Sequence, residues 1–145
     1  MNGWGHWLIS TRASGQRKPS AGLRTGRFAT VGSGGRQSAR SIWDAESLAV
    51  SAISFWECAM LQQRERLTLP MPAHAWRMDL IAAGLQECPL DGEVAILAAQ
   101  LEFMHKDPAD RFITATAMVQ SATLVTADER LLAWKHRLKR QDARR

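Results

Sequence analysis

The chain contains no tyrosine, only two cysteines, and no apolar run approaching the roughly 18 residues that a membrane-spanning helix requires. From the last absence, no membrane-spanning helix is expected within these residues. Cys58 and Cys88 lack any metal-type spacing and read as buried thiols of a reducing, cytoplasmic compartment. No secretory leader is expected either, since the apolar stretch at 4–9 is too short and polar residues follow it. Gly32-Ser33-Gly34-Gly35 is not a phosphate loop: no Gly-Lys-Ser/Thr ending and no apolar helix follow it. It reads as linker. No function attaches to the lack of tyrosine, which six tryptophans accompany.

Charge is unevenly spread. Residues 1–47 hold seven Lys/Arg and two acids, and residues 130–145 hold seven Lys/Arg and one acid. Residues 48–129 carry five Lys/Arg against eleven acids, so an acidic centre lies between basic ends. An enzyme that holds a cation and grips an anionic polymer needs that distribution. Solvated tails around an ordinary domain produce it equally well.

Residues 11–41 are rich in Gly, Ser and Arg and show neither helical nor alternating periodicity. Such a composition buries too little apolar surface to offset its ordering entropy, so residues 1–47 read as an atypical basic segment. A domain over 48–145, ending in a basic tail, follows. Leu48 to Ile53 is a strand candidate, with Ser54 as N-cap of a helix whose apolar face holds Phe55, Trp56, Ala59 and Met60. Glu57 falls in the first turn of that helix, where Ser54 and Glu57 also satisfy a capping box. A second helix starts at Ala73, carries Trp76, Leu80 and Ile81 inward and stops at Gly84. Leu85 to Leu90 suits an edge strand, and Glu93 to Leu101 a helix with Val94, Leu97, Ala98 and Leu101 on its apolar face. Strands alternating with helices of this length predict an α/β fold with a parallel sheet.

The most informative stretch is HKDPADRFITATAMVQSATLVTADERL, residues 105–131. Asp107-Pro108 is a helix start, Asp being a favoured N-cap and Pro a favoured first helical residue. Asp110 then sits in the first turn, where the helix dipole favours negative charge. Phe112, Ile113, Thr116, Ala117 and Gln120 recur at helical spacing. Thr123-Leu124-Val125-Thr126 is a short β-branched run of the kind found in buried parallel strands. It ends at Ala127-Asp128, and a helical pattern resumes over Glu129 to Trp134. Capping accounts for Asp107 as well as a site does, and a turn accounts for Asp128 alone. Acids repeated at strand-to-helix handovers shift the balance, because ligands of open α/β sheets bind outside the carboxyl ends of the strands.

SAISFWECAML, RERLTLP, HKDPADRFITATA and LVTADERLLAW together resemble the PIN-domain ribonucleases of the VapC toxin type. The resemblance covers about residues 48–134 and implies a three-layer α/β/α PIN-like domain with a parallel sheet. It further implies Mg²⁺- or Mn²⁺-dependent hydrolysis of RNA, a VapB-like antitoxin partner and a homodimer. Residue by residue, the family's acids fall on Glu57, Asp110 and Asp128, the implied metal and catalytic set. Asp107 falls on the first Asp of the DP-x-DR motif, and Thr126 on a hydroxyl beside the site. Arg111 lies beside the cluster, where a phosphate contact competes with an ordinary surface salt bridge. Lys106 and the basic tail from Arg130 are candidates for the RNA backbone.

One family position departs. The family opens with a strand ending in Leu-Asp-Thr-His, whose Asp is the first metal-site acid. Leu8-Ile9-Ser10-Thr11 is the candidate here, with Ser10 at the place of that Asp, and the helices expected next correspond to the Gly/Ser/Arg-rich stretch. Two functions compete: a metal-dependent endoribonuclease toxin, and a non-cleaving PIN module that binds antitoxin or RNA. Trp43, Trp56 and Trp76 serve either partner contacts or core packing.

Overall fold

The computed structural model describes residues 8–11, 47–102 and 107–143. Five strands form one sheet in the order β3-β2-β1-β4-β5, with β1 Leu8–Thr11, β2 Ser47–Ser51, β3 Gln86–Cys88, β4 Thr123–Thr126 and β5 Arg140–Asp142. The helices are α1 Ala52–Gln63, α2 Ala73–Ala82, α3 Gly92–Gln100, α4 Pro108–Val119 and α5 Glu129–Ala133. The glycine-rich 32–35 segment, Trp43 and Lys106 lie outside the described residues.

β2 with β3, and β4 with β5, are parallel pairs, as expected of strands separated by helices. Both pairs meet the central β1, which runs antiparallel to β2 and to β4. Four strands therefore share one direction and β1 opposes them. Ser10 lies opposite Leu48 and Thr123, near the beginnings of β2 and β4. The acids follow the ends of those strands, at Ser51 and Thr126. At about 3.3 Å per residue, the five residues from Thr123 to Asp128 place Ser10 roughly 15 Å from the acidic edge. The expectation that Ser10 occupies the position of the family's first acid is thereby corrected: strand direction puts it at the other edge.

The hub of the packing is α4. Seven of its twelve residues are buried, among them Ile113, Thr114, Ala115, Thr116 and Ala117. Ile113 and Ala117 meet Ala49, Leu124, Leu131 and Leu138 in one cluster. Ala115 instead joins Val94, Ala98 and Leu101 of α3. Small side chains on two faces let α4 lie close to the sheet and to α3 at once. Gln120, expected on the apolar face, is the exposed C-cap.

Three helices end in the same way. Leu85 N–H donates to Leu80 O and Gly84 N–H to Ile81 O, with Gly84 at φ 104°. After α1 the left-handed residue is Glu65 (φ 55°), and after α4 it is Ser121 (φ 50°). Glycine suits that conformation without strain, whereas a side chain makes it less favourable. On the outer side of α1, Phe55 meets Trp76 edge-on at 6.2 Å, and Arg77 forms a two-pronged pair with Glu87 at 2.5 and 2.9 Å.

β5 has no counterpart among the expected elements. Its sequence, Arg-Gln-Asp, offers no apolar signal, yet it pairs with β4 from Leu124↔Arg140 to Thr126↔Asp142.

Candidate functional site

β2 ends at Ser51, which becomes the N-cap of α1, so the helix starts two residues before the expected cap, Ser54. Glu57 consequently lies in the second turn, and no acidic residue occupies the first. The capping box is excluded: Ser54 Oγ is buried with no hydrogen-bond partner. Ser51 does not cap through its side chain either. Its Oγ lies 3.0 Å from Thr116 Oγ1, which donates to Phe112 O at 2.7 Å. With the Thr116 proton so committed, the Ser51 hydroxyl is the donor between them. This buried pair ties the end of β2 to α4, and no feature of the sequence announced it.

Asp107 and Pro108 open α4 as expected, with Asp107 Oδ1 accepting from Ala109 N–H at 3.0 Å. Asp110 lies in the first turn and is buried, only 6 % exposed. Its carboxylate and that of Asp107 act on Glu57 across the α1–α4 interface. Burial above all, then the charge of Asp110, then that of Asp107, pushes the Glu57 carboxyl from its ordinary 4.5 up to about 7. Two helices thus present acids to one another. Burial and, secondarily, the neighbouring Glu57 also push the Cys58 thiol up to about 12, consistent with an inert structural thiol.

Asp128 follows β4 and caps α5. Its Oδ1 accepts from Arg130 N–H at 2.6 Å and Leu131 N–H at 3.1 Å, while its own N–H donates to Thr126 Oγ1 at 3.0 Å. Thr126, fully buried, thereby fixes the backbone that carries Asp128. Among the described residues no three His, Cys, Asp or Glu side chains stand close enough together to hold a metal ion. Glu57 lies within electrostatic reach of Asp110 and Asp107, while Asp128 stands at the mouth of α5 as a cap.

Arg111 is engaged at the end of α3. Its Nε donates to Ala98 O at 2.9 Å, and its Nη2 to Ala99 O at 3.0 Å and Leu101 O at 2.8 Å. These are carbonyls at the end of α3, which the helix itself cannot satisfy. Arg140 serves α5 likewise, donating to Leu131 O at 2.7 Å, to Trp134 O, and to His136 O at 3.1 Å.

An all-oxygen donor set of carboxylates suits a hard divalent cation, which needs only about one or two protein carboxylates. Glu57 and Asp110 fit that requirement.

A family model described as "PIN domain" matches residues 29–136. The chain is also similar to Ribonuclease VapC22 of Mycobacterium tuberculosis, 39% identical over 98 residues that make up 67% of this chain and 75% of that protein. No solved structure matches. The matched span takes in β2 to α5, the acids at their junctions and the α4 hub, and by it the chain belongs to the PIN-domain family, whose fold is a three-layer α/β/α sandwich.

Proposed function

We propose that this protein is a metal-dependent endoribonuclease, the toxin of a VapC-type toxin–antitoxin pair. The observation that carries the reading is Glu57 within electrostatic reach of Asp110 and Asp107, where burial above all, and then those two charges, raise its carboxyl to about 7. Acids concentrated at that cost to the fold are better explained by a cation they receive than by capping. Glu57 and Asp110 would hold Mg²⁺ or Mn²⁺, with Asp128 completing the set from the end of β4. When bound, the metal supplies a deprotonated water and offsets charge on the leaving oxygen of the phosphodiester. The chain's own part is positional: Thr126 fixes Asp128, and the Ser51–Thr116 pair fixes the start of α1 against α4. Arg111 supports the site by holding α3 rather than by binding phosphate.

The test is cleavage of RNA with Mg²⁺ or Mn²⁺, with chelator as control. Activity that vanishes in chelator and in Asp110→Asn or Asp128→Asn supports the reading. Asn remains a good N-cap, so the second change removes charge while keeping α5 capped. Activity indifferent to chelator and to both substitutions sinks it.

A non-cleaving PIN module is the second reading, favoured by the strand direction that leaves Ser10 far from the acids. RNA or antitoxin binding without metal-dependent cleavage would select it. Under either reading the partners are RNA, a VapB-like antitoxin and a second copy of the chain, in the cytoplasm. Light scattering at tens of micromolar, about the scale of weak association, tests the dimer. No helix among the described residues is long and apolar enough to cross a membrane.

A further inference from the structure

The segment after α5, Trp134 to Lys139, alternates in burial. Trp134 and His136 are half-buried and Leu138 is buried, while Lys135, Arg137 and Lys139 are exposed. Trp134 packs against both hydrophobic clusters and stacks on His136, with ring centroids 4.3 Å apart and planes 9° from parallel. His136 Nδ1 accepts from Leu138 N–H at 3.0 Å, which holds the imidazole in the stack. Arg140 binds the carbonyls of Trp134 and His136, so the loop backbone is held from within. The result is a preorganised aromatic pair anchored in the core, with three cations set around it.

Solvated charge alone would not need that arrangement, because exposed lysines require neither a stacked pair nor a fixed backbone. Single-stranded nucleic acid does use it: bases stack on aromatic rings while neighbouring cations track the phosphates. We propose that residues 134–139 form an anchor for single-stranded RNA, with one base laid on His136 and the backbone held by Lys135, Arg137 and Lys139. The inference rests on the ribonuclease reading and adds a binding point separate from the acids. β5 begins at Arg140, opposite Leu124 near the start of β4, so the loop lies toward the sheet edge opposite Asp128. α5, five residues and about 7.5 Å long, spans the interval. RNA held here runs along α5 toward the cleavage edge.

The test measures binding of a short fluorescein-labelled single-stranded RNA to the full chain in chelator, so that no cleavage is involved. Replacing Lys135, Arg137 and Lys139 together by Ala should flatten the dependence of log affinity on log salt by about 2, at roughly 0.7 per phosphate contact. His136→Ala should weaken binding about 5- to 150-fold, the effect of one lost base stack. His136→Phe, which keeps a ring but loses the Nδ1 acceptor, should recover most of that loss. Melting curves of each variant separate these effects from unfolding. An unchanged affinity and salt slope in the triple variant overturns the proposal, as does His136→Phe binding as poorly as His136→Ala. Loop-dependent binding without Mg²⁺-dependent cleavage would keep the anchor and remove the ribonuclease reading. Cleavage together with loop-independent binding would do the reverse.

Discussion

Replacing Glu57 by Gln should stabilise this protein at neutral and alkaline pH in the absence of divalent cations. The Glu57 carboxyl is held at about 7 in the fold against an ordinary 4.5, with burial the largest cause and Asp110 the next. A carboxyl raised by folding favours the fold in its protonated form. That contribution is fully present below about pH 4.5, fades as the pH climbs through 7, and stays lost above it. At 1.36 kcal/mol per pH unit the ceiling is about 3 kcal/mol. Glu57 keeps some contact with water, which screens the charge, so about 1–3 kcal/mol is expected in practice. For a chain of this size each kcal/mol moves the melting temperature by about 3 °C. In chelator at pH 8, Glu57→Gln should therefore melt several degrees above the unsubstituted protein, and at pH 4.5 the two should nearly coincide. Comparing the two proteins at each pH cancels the titrating groups that do not interact with Glu57. Mg²⁺ or Mn²⁺ should then stabilise the unsubstituted protein at pH 8, by mass action on the folded state, and stabilise the variant less. A variant that melts lower at pH 8, or whose advantage does not change with pH, would refute the electrostatic account of the cluster.

Arg111→Ala leaves the carbonyls of Ala98, Ala99 and Leu101 without their guanidinium, and should cost about 2 kcal/mol in chemical denaturation. A loss confined to RNA affinity would mean that Arg111 contacts phosphate after all. Ser121→Gly relieves a left-handed residue (φ 50°) at the end of α4 and should stabilise by about 0.5–1 kcal/mol in the same assay. Ser10→Asp should leave cleavage unchanged, since Ser10 stands at the edge of the sheet away from the acids. A gain in cleavage would show that β1 runs with its neighbours rather than against them.

What was readable in the sequence follows from how far each determinant reaches. The opening of α4 was legible because a cap and a first-turn proline act within three residues, and Asp107 and Pro108 sit where that chemistry puts them. The same holds for Gly84 after α2. α1 begins earlier than expected, at Ala52, and the hydroxyl of its N-cap Ser51 serves Thr116, a residue 65 positions away, rather than the helix end. The carbonyl partners of Arg111 were out of local reach in the same way: they lie 10 to 13 residues back, at the end of another helix. β5 was invisible because a polar edge strand carries no apolar period. The direction of β1 is likewise absent from its four residues, since alternation reads the same both ways. Of the candidate region, the places of Asp107 and Asp110 at a helix opening were legible, whereas Glu57 lies a turn deeper than expected. The side-chain geometry that sets Glu57 beside Asp110, and Asp128 on the α5 backbone, was not.

The central position of β1 bears on how the chain assembles. Residues 8–11 pair with 123–126, almost the full length of the sequence apart, and they are also the seam between the β3–β2 and β4–β5 pairs. A ribosome must therefore deliver nearly the whole chain before the sheet can close, and each such long-range pairing slows folding. Until that strand is seated, β2 and β4 each present an unpaired edge, the template for pairing with other chains. The interval before closure is when this protein is most exposed to aggregation, and the seating of residues 8–11 ends it.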